Sequence, residues 1–109
     1  MTPEQWETIG RLVDWLDREN RRDAHERALR LIKLTEEVGE VGQAYVGLTG
    51  QNPRKGVTHT SADVADELCD VIVTAAVALH SFSRDPAATF AAKLDAITAR
   101  TFGPPPTTR

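Results

Sequence analysis

Apolar residues recur at spacings of three and four in four separate segments of this chain. No segment alternates apolar with polar residues as a half-exposed strand would. That pattern restricts the fold to packed helices. The first segment carries Trp6, Ile9, Val13 and Leu16 on one face. Its start is well marked: Thr2 caps, Pro3 suits the first helical position, and Gln5 completes a capping box. The polar run from Asp17 to Arg22 breaks the pattern. Asp23-Ala-His-Glu26 then predicts a second capping box, opening a long helix that extends to about Leu48. Its expected core stripe is Leu31, Leu34, Val38, Val41, Tyr45 and Leu48.

Residues 49–60, TGQNPRKGVTHT, contain two glycines, a proline and an asparagine and read as a loop. Thr60 or Ser61 caps a third helix with the stripe Val64, Leu68, Val71, Ala75, Ala78 and Phe82. Between Val71 and Leu79 that helix is apolar nearly all round, which predicts the most buried element of the fold. Asp85-Pro86 opens a fourth helix carrying Phe90, Leu94 and Ile97. The end, GPPPTTR, cannot be helical and is expected to be a disordered Pro-rich tail. The fold class is therefore all-α, about four helices packed as a bundle, with one domain over 1–102 and a tail over 103–109.

A chain of 109 residues suits one domain, and 40% hydrophobic with 27% charged residues is ordinary for a soluble protein. The net charge of −3 predicts neither a nucleic acid polymer nor an anionic membrane as partner. One cysteine, Cys69, cannot make an internal disulfide, and no basic start precedes an apolar leader core. The expected location is cytoplasmic.

The unusual feature is the run LTEEVGEVGQ at 34–43, which places Glu36, Glu37 and Glu40 on about one helical turn. Glu37 sits at the shoulder of the apolar stripe. Glu40 lies about 60° further round and Glu36 about 100°. Asp66, Glu67 and Asp70 repeat the layout on the third helix. EEVGEV (36–41) and DELCDV (66–71) match in residue class at every position but the fourth. If the two helices pack antiparallel, four to six carboxylates converge across a groove. Such a cluster is costly unless cations fill it. Oxygen-only ligands favour Mg²⁺ or Mn²⁺ over zinc. Iron in a helical bundle calls for a Glu-x-x-His pair, and none of His25, His59 or His80 follows an acid by three residues. Charged residues beside an apolar stripe are ordinarily just the solvated flank of an amphipathic helix. Here no basic residue follows any of these acids at i+4, and Asp70 sits where its helix turns apolar all round.

The pairing of Glu37-Val-Gly-Glu40 with Glu67-Leu-Cys-Asp70 after 26 intervening residues resembles the E-x-x-E…E-x-x-D signature of the MazG-like family. That family belongs to the all-α nucleoside triphosphate pyrophosphohydrolases. KLTEE (33–37) is similar to the family's lysine-containing lead-in to a doubled Glu, and the likeness is strongest over residues 30–82. The resemblance implies a four- to five-helix, oligomeric bundle of the MazG-like type. It also implies a Mg²⁺- or Mn²⁺-dependent enzyme cleaving a nucleoside triphosphate between its α and β phosphates, as in nucleotide-pool sanitation. By position, Glu37, Glu40, Glu67 and Asp70 would be metal ligands. Glu36 would bind a further ion or orient the attacking water, so Glu36 and Glu37 are the catalytic candidates. The family's habit of assembling as dimers or tetramers, with neighbouring subunits helping to complete the site, implies a homodimer or homotetramer. Cys69 stands where the family commonly has glycine, alanine or serine.

Lys93 and Arg100 fall roughly where the family carries basic residues that meet phosphate; the plain alternative is a pair of surface cations. Lys33 either meets the pyrophosphate or offsets Glu37 at i+4. Arg54, Lys55 and His59 lie in the loop joining the two acidic motifs, where they either reach substrate or simply form a polar connection. Trp6 and His80 read as packing residues, and Cys69 as a small core residue. The alternative to an enzyme is a non-catalytic helical oligomer, an interaction module that retains the acidic groove. A different metal-dependent phosphohydrolase would use the same acids and release another product.

Overall fold

The computed structural model describes residues 1–103, which form four helices and no strand: α1 (Pro3–Glu19), α2 (Ala24–Thr49), α3 (Ser61–Leu79) and α4 (Pro86–Phe102). Of the expected tail at 103–109, Gly103 is the C-cap of α4 and residues 104–109 lie outside the described residues. No helix among those described is long and apolar enough to cross a membrane.

The helix starts follow their local chemistry. At α1 the Gln5 N–H donates to Thr2 Oγ1 at 3.1 Å, and the Thr2 N–H donates to Gln5 Oε1 at 2.8 Å. This reciprocal pair satisfies two otherwise orphaned donors. Thr60 and Asp63 build the same box at α3. At α2 only half of the expected box forms. Asp23 accepts from the Glu26 N–H at 2.9 Å, but the Glu26 carboxylate turns instead to Arg30 and Asn20. A guanidinium is the stronger partner for a carboxylate than the cap N–H. Gly50, at φ 66°, ends α2 in the left-handed conformation that glycine adopts without steric cost.

The α3 box makes the helix sensitive to acid. Hydrogen bonds from the Thr60 N–H and hydroxyl hold the Asp63 carboxyl below the ordinary aspartate range, with nearby His59 adding to the effect. A group whose native pKa is lowered stabilises the fold above its unfolded pKa and loses that contribution as pH falls through the native value. Asp63→Asn is therefore expected to lower the melting temperature at neutral pH, with the gap to wild type closing below the ordinary aspartate range. A gap that stays constant through acid titration refutes this role.

α2 and α3 pack antiparallel along their lengths, and α1 lies across α3. The core is small: Ile9, Ala76 and Val77 are buried, with Trp6, Val13 and Leu16 packed against them. The α1 face is thus the one its spacing predicts. α2 is turned from the expected orientation. Its line toward α3 runs through Arg30, Leu34, Glu37, Val41, Ala44 and Leu48, while Leu31, Val38 and Tyr45 are exposed. At 100° per residue this is a rotation of about 50° from the centre of the apolar stripe. The stripe is wide, and one neighbouring helix covers only part of it. α3 is likewise buried only at Ala76–Ala78, with Leu68, Ile72 and Val73 exposed; it ends at Leu79, so Phe82, expected on its stripe, lies in the turn beyond and is exposed. Cys69 is exposed rather than a core residue, because it lies away from the α2 contact.

α4 is held near its start, where Pro86 is buried, Thr89 Oγ1 meets Ser83 Oγ at 2.6 Å and the Phe90 ring stands 6.1 Å from that of Trp6. Leu94, Ile97 and Phe102 remain exposed. The radius of gyration, 17.9 Å, exceeds the roughly 13 Å of a compact 100-residue domain. The single chain is therefore more open than the closed bundle expected from its sequence: the apolar face of α4 finds no covering helix within the chain.

Arg30 joins the end of α1 to the start of α2. Its Nε donates to Glu26 at 2.9 Å and its Nη2 to Asp17 at 3.0 Å, with the side chain only 9% exposed. Burial opposes this charge, but the hydrogen bonds and charges of Glu26 and Asp17 outweigh it and hold the guanidinium above its ordinary pKa. Arg22 adds an outer contact to Asp17 at 3.4 Å.

Candidate metal centre

The rotation of α2 that exposes Leu31 and Val38 carries Glu37 inward to face α3. The antiparallel register then sets Glu37 and Glu40 opposite Glu67 and Asp70. One carboxylate oxygen from each of the four lies within 4.8 Å of the other three. Glu37 is buried, Glu67 half-buried, and Glu40 and Asp70 are exposed, so the group has one dry side and one wet side. Glu37 Oε2 and Glu67 Oε2 are buried without a hydrogen-bond partner among the described residues.

Those two oxygens separate this cluster from an ordinary acidic surface. A buried carboxylate oxygen with no donor forfeits its hydration and gains nothing in exchange. Lys33, whose Nζ is 3.5 Å from Glu37 Oε1, meets the other oxygen of that residue, and among the described residues no lysine or arginine pairs with Glu67. The donor set is entirely oxygen, the chemistry that hard divalent ions take, and the four oxygens lie close enough together that small side-chain adjustments would let them share one ion. The residues therefore fit Mg²⁺ or Mn²⁺.

Glu36 stands outside the foursome. Its side chain is exposed and accepts a hydrogen bond from Lys33 Nζ at 3.4 Å. That bond, with the Glu36 and Glu37 charges, holds the Lys33 ammonium above the ordinary lysine range. Lys33 is thus a fixed cation at the rim of the cluster. Asp66 is exposed and also outside the group. Arg54 and Lys55 are exposed in the α2–α3 loop, Lys55 lining a cavity there. Lys93 and Arg100 lie exposed on α4 and make no ion pair among the described residues. The chain by itself brings together the four acids with Lys33 and Glu36 beside them, and leaves the basic residues of α4 apart.

Comparison with protein families, with curated proteins and with solved structures finds no match. Function therefore rests on the residues themselves.

Two features were not apparent from spacing. Glu26 and Arg30 at i, i+4 suggest a pair, but nothing in the sequence places Asp17 on the same guanidinium. The loop after α2 reads as a connector, yet it folds back on the helix. The one available signal is Gly47, where a Cβ would overlap the His59 ring and the Thr58 hydroxyl.

Proposed function

We propose that the chain is a MazG-like, Mg²⁺-dependent nucleoside triphosphate pyrophosphohydrolase that converts a nucleotide to its monophosphate and pyrophosphate in the cytoplasm. The observation that carries this reading is the convergence of Glu37, Glu40, Glu67 and Asp70 with two buried, unpartnered carboxylate oxygens among them. An acidic cluster of this build calls for cations, and a hard cation held on its exposed side suits a polyphosphate.

Mg²⁺ or Mn²⁺ held by these four acids would neutralise the triphosphate and activate a water for attack. Glu36, on the same flank of α2 as Glu40, orients that water toward the α phosphorus and accepts its proton. The water oxygen bonds to the α phosphorus as the bond to the α–β bridging oxygen breaks, and pyrophosphate departs with that oxygen. Lys33 meets its charge. The exposed apolar residues Leu68, Ile72, Phe90 and Leu94 are covered in a homodimer or homotetramer, which closes the four- to five-helix bundle. There α4 of one copy brings Lys93 and Arg100 toward the acids of another, while Arg54 and Lys55 approach from the loop.

The same exposed apolar surface favours a second reading, a non-catalytic interaction module. One experiment separates the two: incubation with a panel of ribo- and deoxynucleoside triphosphates in Mg²⁺, Mn²⁺ or EDTA, with light scattering on the same sample. The expected result is metal-dependent monophosphate and pyrophosphate from a dimer or tetramer. Diphosphate and orthophosphate as products would indicate a different phosphohydrolase. Absence of turnover with both metals would leave the interaction module, and a monomer would refute the assembly.

A further inference from the structure

The α2–α3 loop does more than connect. With the end of α2 it borders a half-open cavity of about 670 Å³ lined by Gln43, Gln51, Lys55, Thr58 and His59 among others. The loop is pinned at both ends. The Thr58 N–H donates to the Gly47 carbonyl at 2.9 Å, which lays the returning strand directly on the helix where Gly47 lacks a Cβ. The Lys55 and Gly56 N–H groups both donate to the Asn52 carbonyl, at 3.1 and 2.9 Å, and the Arg54 N–H donates to Asn52 Oδ1 at 3.0 Å. Gly50 and Gly56 turn the chain at φ 66° and 69°. This is a shaped wall rather than a loose tether.

The cavity is aligned with the acid cluster. Glu36, Glu40, Gln43 and Gly47 fall within about 60° of arc on α2, and Gly47 lies about 10 Å beyond Glu40 along the helix axis. A molecule anchored at Glu40 and running along this flank enters the cavity next. Its lining carries no carboxylate, unlike the cluster: side-chain amides, Thr58, His59 and Lys55 sit there beside the apolar Val46. The Gln43 and Gln51 amides make no side-chain hydrogen bond among the described residues. His59 Nδ1 is engaged with Thr58 Oγ1 at 2.9 Å, which leaves Nε2 for another partner. Side-chain amides present a donor and an acceptor side by side, the pattern that matches the edge of a nucleobase.

We infer that this cavity holds the base of the nucleotide whose phosphates sit at the acid cluster, with Gln43 and Gln51 reading its hydrogen-bonding edge. The inference rests on the nucleotide reading proposed above and assigns its specificity to the end of α2 and the loop that follows it.

Calorimetric titration of the full chain in Mg²⁺ tests it, using inorganic tripolyphosphate and α,β-methylene analogues of the four common nucleoside triphosphates. At least one nucleotide is expected to bind about tenfold or more tighter than tripolyphosphate. Gln43→Ala and Gln51→Ala should each erode that advantage while leaving tripolyphosphate affinity unchanged, which also shows that the variants are folded. Tripolyphosphate binding without any nucleotide preference overturns the base site and leaves the phosphate site standing. A preference that survives both substitutions overturns the assignment to these amides. Binding of neither ligand type overturns the nucleotide reading and this inference together.

Discussion

Glu67→Gln is expected to abolish metal-dependent hydrolysis and, in EDTA, to raise the melting temperature. The two effects are expected to have opposite signs because, on the proposed reading, the residue serves a cation that the folded chain does not itself supply. Glu67 Oε2 is buried and unpartnered, within 4.8 Å of carboxylate oxygens on three other acids. Neutralising it relieves like-charge repulsion and the desolvation of an ionised group. About 1 kcal/mol of relief corresponds to a few degrees in a domain of this size. With Mg²⁺ present the order reverses, since the wild-type chain gains stability from binding and the variant loses a ligand. Altering groups that merely orient metal ligands costs 10- to 100-fold, so loss of a ligand should cost about 100-fold or more in kcat/KM. Melting curves in EDTA and in Mg²⁺, with product assays on the same samples, check both halves. If Glu67→Gln destabilises the metal-free protein and Mg²⁺ stabilises neither form, the cluster is not a cation site.

Arg30→Ala is expected to be the most destabilising single substitution at a charged position in this chain, costing about 3–5 kcal/mol. The guanidinium is 9% exposed, and its removal strands Asp17 and Glu26 at a half-buried junction. The loss also unties α1 from α2, in a chain whose buried core is limited to a few residues around Ile9. Arg22→Ala provides the contrast. It touches the same Asp17 at 3.4 Å, but its side chain is 76% exposed, and such pairs contribute at most about 1 kcal/mol. Urea denaturation of the two variants measures the difference. Equal, small losses would mean that Arg30 is dispensable and that apolar packing alone holds the helices.

The sequence by itself determined the four helices and most of their ends, though not the stop of α3 at Leu79, short of Phe82. Thr2, Thr60 and Asp85 cap where their side chains compete for helix N–H groups, prolines follow at the first positions of α1 and α4, and Gly50 stops α2. These are interactions among residues a few positions apart, so spacing reveals them. It also exposed the two acidic motifs, because a 100° step puts Glu37 with Glu40, and Glu67 with Asp70, on one side of each helix. Which side became the contact was a tertiary decision. α2 offered a broad apolar arc, and packing on α3 selected the line through Glu37 and Ala44 rather than the one through Val38 and Tyr45. That choice depends on how two surfaces interlock, which no single helix contains. The same packing decided that four acids rather than six converge, that Arg30 spans to Asp17, and that the loop closes over Gly47. Each of these joins residues far apart in sequence, whose meeting is set by the register and rotation of packed helices.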